Sequence, residues 1–266
     1  MVASARFRAA YAEHRRAEGR GSGGAAELLA LPYLRSGPFA RQWAVRARSY
    51  EAFIRLVVSP AIARVAPRPL AVLDLGAGNG WLSYRLSRLG CRAVALDWRS
   101  DAVDGLGAAR GYGSESGAPF TSVVASFDAI PTGRRFDVAV FNAAIHYAVS
   151  LDQVIAAATR VVVSGGQLVI LDSPFYERDA DGARMVEAKH ARALREWGPD
   201  APDLVNLPAI EYLTRERLDR ASRRLGLSWR RHRVRYPLWY RLRPLVAALK
   251  RERRPSRFDL WETQVP

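Results

Sequence analysis

Three side chains stand where a strand could hold them ready to move a proton. His146 and Tyr147 in "FNAAIHYA" and Asp172 in "LVILDSP" each follow a short apolar run. An imidazole with an ordinary pKa of about 6.5 suits a general base near neutral pH, and a carboxylate closing a strand offers a second base. Each has a plainer reading beside it. His146 can hydrogen-bond a backbone carbonyl beneath a ligand, Tyr147 can form a pocket wall, and Asp172 can cap or brace a loop.

A ligand-holding stretch lies upstream, "AVLDLGAGNGWLSYRLSRLG" from Ala71 to Gly90. Asp74 closes an apolar segment, Gly76, Gly78 and Gly80 follow at alternate positions, and a helical pattern begins. Glycine permits positive φ and close approach to the backbone, and a helix start offers free N–H groups. A dinucleotide fingerprint places its third glycine three residues after the second, where this chain has Trp81. An acid two residues before the first glycine repels a phosphate but accepts a hydrogen bond from an amine. The pattern therefore points to a ligand with a nucleoside and a positively charged amino-acid arm; a dehydrogenase reading survives only if Trp81 can be accommodated.

Elements that would position these residues are legible as short apolar strands alternating with helical stretches. Strands are expected at 70–75, 92–97, 121–125, 136–142 and 167–172, with helices at 80–89, 101–109 and 151–162. Alternation of this kind predicts an α/β fold, doubly wound, with a mostly parallel seven-stranded sheet and helices on both faces. Upstream, residues 1–66 read as an N-terminal helical extension or lid, with a helix near 3–18, a glycine-rich break at Gly19 to Gly24, a loop at 31–38, and a long helix over 39–65 interrupted near Ser59-Pro60. Residues 67–266 form the main domain. Thr214 should cap a helix ending at Gly226, and 227–236 should pair antiparallel with "RFDLWETQV" to complete the sheet.

The glycine loop and its neighbours resemble the class I S-adenosylmethionine-dependent methyltransferases. "DLGAGNG" is similar to that family's first motif, "AVALDWRS" to its second, "ASFDAIPTGRRFDVAVFNAAIHYA" to its third and fourth strands, and "ATRVVVSGGQLVILDSP" to the helix, Gly-Gly turn and fifth strand that follow. The resemblance implies S-adenosyl-L-methionine as cofactor. It implies that Gly76, Ala77, Gly78, Asn79 and Gly80 line the methionine arm and that Asp74 helps hold its amino group. Asp97 would accept from the ribose hydroxyls, with Trp98 against the adenine, Ser126 and Phe127 near the adenine edge, and Asn142 beside the sulfonium end. Family members that methylate adenine or amide nitrogen resemble one another in an Asn/Asp-Pro-Pro-aromatic loop; "FNAAIHY" lacks those prolines, which disfavours adenine methylation in DNA.

Two segments are placed to cover the ligand crevice: the N-terminal "LPYLRSGPFARQWAVRARSY" and an insertion after strand five, 173–213. Their aromatic residues suggest an enclosed pocket and a small-molecule methyl acceptor, oxygen slightly favoured. Charge keeps other readings open. The net charge is +15, with fifteen arginines between Arg215 and Arg257 against two lysines, Lys189 and Lys250, in the whole chain. Such a balance fits a solvated surface best, and leaves an RNA methyltransferase or a peripheral contact with an anionic membrane as alternatives. The basic excursion at 236–256 carries Leu238, Trp239, Leu242, Leu245, Val246 and Leu249, which are expected to pack on the domain because Pro244 breaks a continuous amphipathic helix. A non-catalytic S-adenosylmethionine-binding protein is a further alternative, argued against by Asp74, Gly78 and Asp97. The single cysteine, Cys91, excludes an internal disulfide, four scattered histidines suggest no metal site, and a cytoplasmic setting is expected.

Overall fold

A computed structural model describes residues 19, 24–113, 119–127, 129–131, 133, 135–197 and 209–266. The helix expected near 3–18 and residues 198–208 of the insertion lie outside the described residues.

Apolar residues on both faces make the central strands. β1 (Ala71–Leu75) and β4 (Phe136–Asn142) are buried along their whole length, as strands covered by helices on both sides must be. With β2 (Arg92–Asp97), β3 (Thr121–Val124), β5 (Val162–Leu171), β6 (Arg230–His232) and β7 (Leu260–Gln264) they form one seven-stranded sheet in the order β3-β2-β1-β4-β5-β7-β6. β1 to β5 are parallel, and β7 runs antiparallel to both β5 and β6. Between β1 and β4 the strand order reverses direction, which opens a crevice at the strands' C-terminal ends.

One face of the sheet is covered by α2 (Ala40–Phe53), α3 (Ser59–Val65) and α4 (Trp81–Ser87), the other by α5 (Leu151–Val161) and α7 (Arg215–Ser222). Trp81 explains how α2 is fixed. Its indole is buried and meets Trp43 and Tyr50 of α2 edge to face, at centroid distances of 5.6 and 5.8 Å. Arg85 of α4 donates to the carbonyls of Leu29 and Leu31, satisfying the end of α1 (Gly24–Ala30).

Several expected elements are moved or shortened, each for a visible reason. The break in the 39–65 helix is a π-helical turn at Ile54–Val58, just ahead of Pro60, whose ring would crowd the carbonyl of Leu56 in an unbroken helix. The helix expected at 101–109 is a 3₁₀ turn at Leu106–Tyr112: the Asp101 carboxylate accepts from the N–H groups of Val103 and Asp104 as a helix cap would, but Gly105 is extended and interrupts the turn. β5 starts earlier than expected and absorbs Gly165 and Gly166 in a bulge, where a Cβ at Gly166 would sit 2.8 Å from the Asp137 carbonyl. β6 is three residues long: beyond it the Asp259 side chain, not a strand, accepts from Val234 N.

The excursion also differs from expectation. It forms two short helices, α8 (Leu238–Arg241) and α9 (Arg243–Leu249), broken ahead of Pro244. Tyr240 and Ala247 turn inward, but Leu238, Trp239, Leu242, Leu245, Val246 and Leu249 are exposed, Leu249 by 86%. With Tyr240 and Ala247 holding the inner face, the helix period leaves the remaining apolar positions on the outer one. From the insertion, α6 (Asp179–Trp197) is described, and its return segment hydrogen-bonds to the loop after β4 through Ile210 N to Ala148 O and Glu211 N to His146 O, both at 2.8 Å.

Candidate active site

Parallel register brings four acids and amides to one edge. Asp74 and Leu75 pair with Ala95 and Leu96 of β2, Asp97 ends β2, and Asn142 ends β4 opposite Leu171 of β5. Asp172 follows directly, beside Ala143, whose N–H donates to the Leu171 carbonyl at 2.9 Å. Ala143 and Asp172 both have positive φ, 56° and 48°, a strained conformation outside glycine that clusters at functional sites.

Glycine is required in the loop between β1 and α4. A Cβ at Gly76 would stand 2.4 Å from Ala144 Cβ, and one at Gly80 would stand 2.7 Å from the Phe120 ring; both residues have φ above +70°. Five of the loop's N–H groups are already committed. Those of Gly76 and Ala77 go to the Leu96 carbonyl, that of Gly78 to Asp97 Oδ2, that of Gly80 to the Ala77 carbonyl, and that of Trp81 to Asn79 Oδ1.

What the crevice offers instead is acceptors. Asp74 is fully buried; Oδ2 accepts from Ser83 Oγ at 3.0 Å, and Oδ1 has no partner among the described residues. Burial first, and then the nearby Asp97, push its carboxyl up to about 7 despite the Ser83 hydrogen bond. Asn142 Oδ1 is also buried without a partner. Asp97 accepts from Gly78 N and Arg99 N, both at 2.8 Å, and burial holds it above the usual carboxylate range. Unpaired buried acceptors call for a donor-rich, cationic ligand, whereas a pyrophosphate needs the amides that are taken. Phe127 is buried against Phe141 with its ring edge 3.5 Å from where a Gly76 Cβ would lie, and Trp98 and Ser126 are half-buried.

The comparisons with known proteins agree with this chemistry. Residues 73–170 match the model of a methyltransferase domain family. The chain carries a class I S-adenosylmethionine-dependent methyltransferase domain. Its cofactor is S-adenosylmethionine, and the free acceptors of Asp74 and Asn142 with the Asp97 carboxylate fit that ligand's ammonium and hydroxyl donors. Two ubiquinone biosynthesis O-methyltransferases are similar, each 29% identical: one from Methylobacterium sp. (strain 4-46) over 38% of this chain and 41% of its own, one from Methylobacterium nodulans over 43% and 47%. The chain thus matches less than half the length of these curated relatives. The fold is similar to that of magnesium protoporphyrin IX methyltransferase from Synechocystis PCC 6803 with bound S-adenosylhomocysteine, at a TM-score of 0.56 and 14% identity, over 98% of this chain and 100% of that one.

Beside the methyltransferase crevice the three proton-moving candidates sit in different surroundings. His146 lies in a 3₁₀ turn at Ile145–Tyr147, half-buried, with Nδ1 3.4 Å from Ser173 Oγ. Burial, followed by the cations Lys189 and Arg46, pushes it down to about 3, so it is neutral and a feeble proton acceptor. Tyr147 is exposed and leans on the His146 ring at 4.2 Å. Asp172 is buried: Oδ1 accepts from Ser49 Oγ in a very short contact, Oδ2 has no partner among the described residues, and Ser49 Oγ is 2.8 Å from Tyr236 Oη. Burial pushes Asp172 up to about 6, partly offset by Arg46 and the Ser49 hydroxyl.

Ser49 and Tyr236 were not singled out from the sequence. Ser49 lies four residues after Val45, on the inward face of α2, and a polar residue on an apolar stripe is the signal that marks it. Tyr236, four residues beyond the end of β6, had no such signal.

A cavity of about 300 Å³ opens next to Asp172, between α2 and the α8–α9 hairpin. A larger depression of about 730 Å³ is lined by 175–179, α7 and β7. It shares no residue with the glycine loop, Asp97, Asn142 or Asp172, and its rim holds exposed ion pairs such as Arg220–Glu216. The smaller cavity is the one continuous with a candidate base.

Proposed function

We propose that this chain transfers the methyl group of S-adenosylmethionine to a hydroxyl oxygen of a small molecule, with Asp172 as the general base. The observation that carries the reading is the unpartnered, buried Oδ2 of Asp172 beside a small cavity, one residue past the strand position paired with Asn142. The matched O-methyltransferases support oxygen as the acceptor atom.

When bound, S-adenosylmethionine supplies an electrophilic methyl on a cationic sulfonium. The protein's own work is to hold the cofactor by Asp74, Asp97 and Asn142, to hold the acceptor in line, and to take its proton. A hydroxyl nucleophile is weak until deprotonated, and a carboxylate titrating near 6 is ionised at neutral pH while still basic enough to receive a proton. Ser49, held by Tyr236 and helix α2, fixes the orientation of Asp172 so that Oδ2 remains free. His146, neutral beneath the loop, braces Ser173 and the insertion's return segment.

The test is transfer of labelled methyl from S-adenosylmethionine to a panel of hydroxylated and aminated small molecules. Acceptor-dependent formation of S-adenosylhomocysteine with hydroxyl acceptors, reduced about 10² to 10⁴-fold in Asp172→Asn, is expected. Turnover confined to amines, or unchanged in the variant, would contradict the reading.

A further inference from the structure

We infer that the cavity beside Asp172 is the acceptor subsite and that it selects a planar hydroxyarene bearing an acidic group; this rests on the methyl-transfer reading above. Its walls set two opposite demands. Asp172 Oδ2 needs a donor and Arg243 Nε needs an acceptor, and neither buried atom has a partner among the described residues. A ligand with a hydroxyl and an anionic oxygen satisfies both at once, and an unmet buried polar group otherwise costs about 1–3 kcal/mol.

Charge and shape narrow the class further. Arg41 and Arg46 from α2 and Arg243 from α9 face one carboxylate, and none of the three forms an ion pair with a described residue. The cavity is therefore net positive and repels a cationic acceptor. Arg243 is held still: its Nη2 donates to the Ser256 carbonyl at 2.6 Å and its guanidinium lies 3.7 Å over the Tyr240 ring. A guanidinium fixed in this way meets a planar anion with little further ordering. Trp239, with Arg41 5.7 Å from its ring, and Tyr240 supply aromatic walls, and about 300 Å³ is the low end of small-molecule sites. A single substituted ring fills such a space; a nucleic acid does not.

The experiment titrates protein saturated with S-adenosylhomocysteine with protocatechuate and, separately, with its neutral amide, followed by calorimetry. The acid is expected to bind at least about tenfold more tightly than the amide. Arg243→Gln and Arg46→Gln should each remove most of that difference, leaving the amide's affinity within about twofold and S-adenosylhomocysteine binding, the check on folding, unchanged. Equal binding of acid and amide by the wild type overturns the inference. So does the absence of binding by either while S-adenosylhomocysteine still binds, which leaves the methyl-transfer reading standing. Failure of the wild type to bind S-adenosylhomocysteine removes both.

Discussion

Asp74 and Asp172 are acids held protonated more strongly by the fold than by water, and that property has measurable consequences. An unfolded Asp titrates near 3.8; in the fold burial moves Asp74 to about 7 and Asp172 to about 6. The native state therefore binds these protons more tightly than the unfolded state, so the contribution of these two acids to stability is greatest below about 4 and is lost as pH rises toward 7, opposite in sign to that of Asp101, Asp137 and Asp181, whose carboxyls are held below the usual range. Asp74→Asn should flatten that decline in melting temperature across the same window. Cofactor binding works in the opposite direction, because a ligand ammonium beside Asp74 favours its ionised form. S-adenosylhomocysteine should bind with release of a proton at pH 6, seen as a dependence of the calorimetric heat on buffer ionisation enthalpy, and more tightly at pH 7.5 than at 5.5. For Asp172 as base, kcat/KM should rise tenfold per pH unit below about 6 and then level. Ser49→Ala removes a hydrogen bond that lowers the Asp172 pKa, so the rise should move to higher pH; His146→Gln should leave it in place. A rise displaced by His146→Gln and not by Ser49→Ala would assign the proton to the histidine.

At the scale of elements, the glycine loop and α2 carry the site. Gly76→Ala places a Cβ against Ala144 and forces a positive φ on alanine, and is expected to abolish S-adenosylhomocysteine binding or folding. Trp81→Ala removes the indole between Trp43 and Tyr50 and should cost about 3–5 kcal/mol in denaturant unfolding, with α2 and hence Ser49 loosened. The parallel seven-stranded sheet, the glycine loop and the antiparallel last strand were legible in the sequence because apolar runs, glycine spacing and the Thr214 and Gly226 caps are local signals. What was not legible depends on contacts distant in the chain. The bulge at Gly165 extended β5 against β4, and Ser49 reaches Asp172 across 123 positions. The outward turn of the apolar row of α8 and α9 is not legible in the sequence, because helical periodicity states which residues share a face, not which way that face turns.

Across the whole molecule the charge is less available than its total suggests. Arg215, Arg220, Arg231, Arg254 and Arg257 are paired with Asp219, Glu216, Asp259 and Glu177, which partly neutralises the basic C-terminal region. The α8–α9 hairpin is different, with exposed Leu238, Leu242, Leu245, Val246 and Leu249 beside exposed Arg241, Lys250 and Arg251. That combination suits an anionic lipid surface, and it borders the cavity proposed to take the acceptor through Trp239. Phosphatidylglycerol vesicles should sediment the protein at low salt and release it at high salt, and Leu245→Glu with Leu249→Glu should abolish the effect. No sedimentation at low salt would show that the row serves something other than a membrane. Among the described residues no helix is long and apolar enough to cross a bilayer.

The most direct measurement is calorimetric binding of S-adenosylhomocysteine to the wild type and to Asp97→Ala, with NAD as control. The account predicts micromolar binding to the wild type, weakened about 10- to 100-fold in the variant, and no binding of NAD. NAD binding, or S-adenosylhomocysteine affinity indifferent to Asp97, would contradict it.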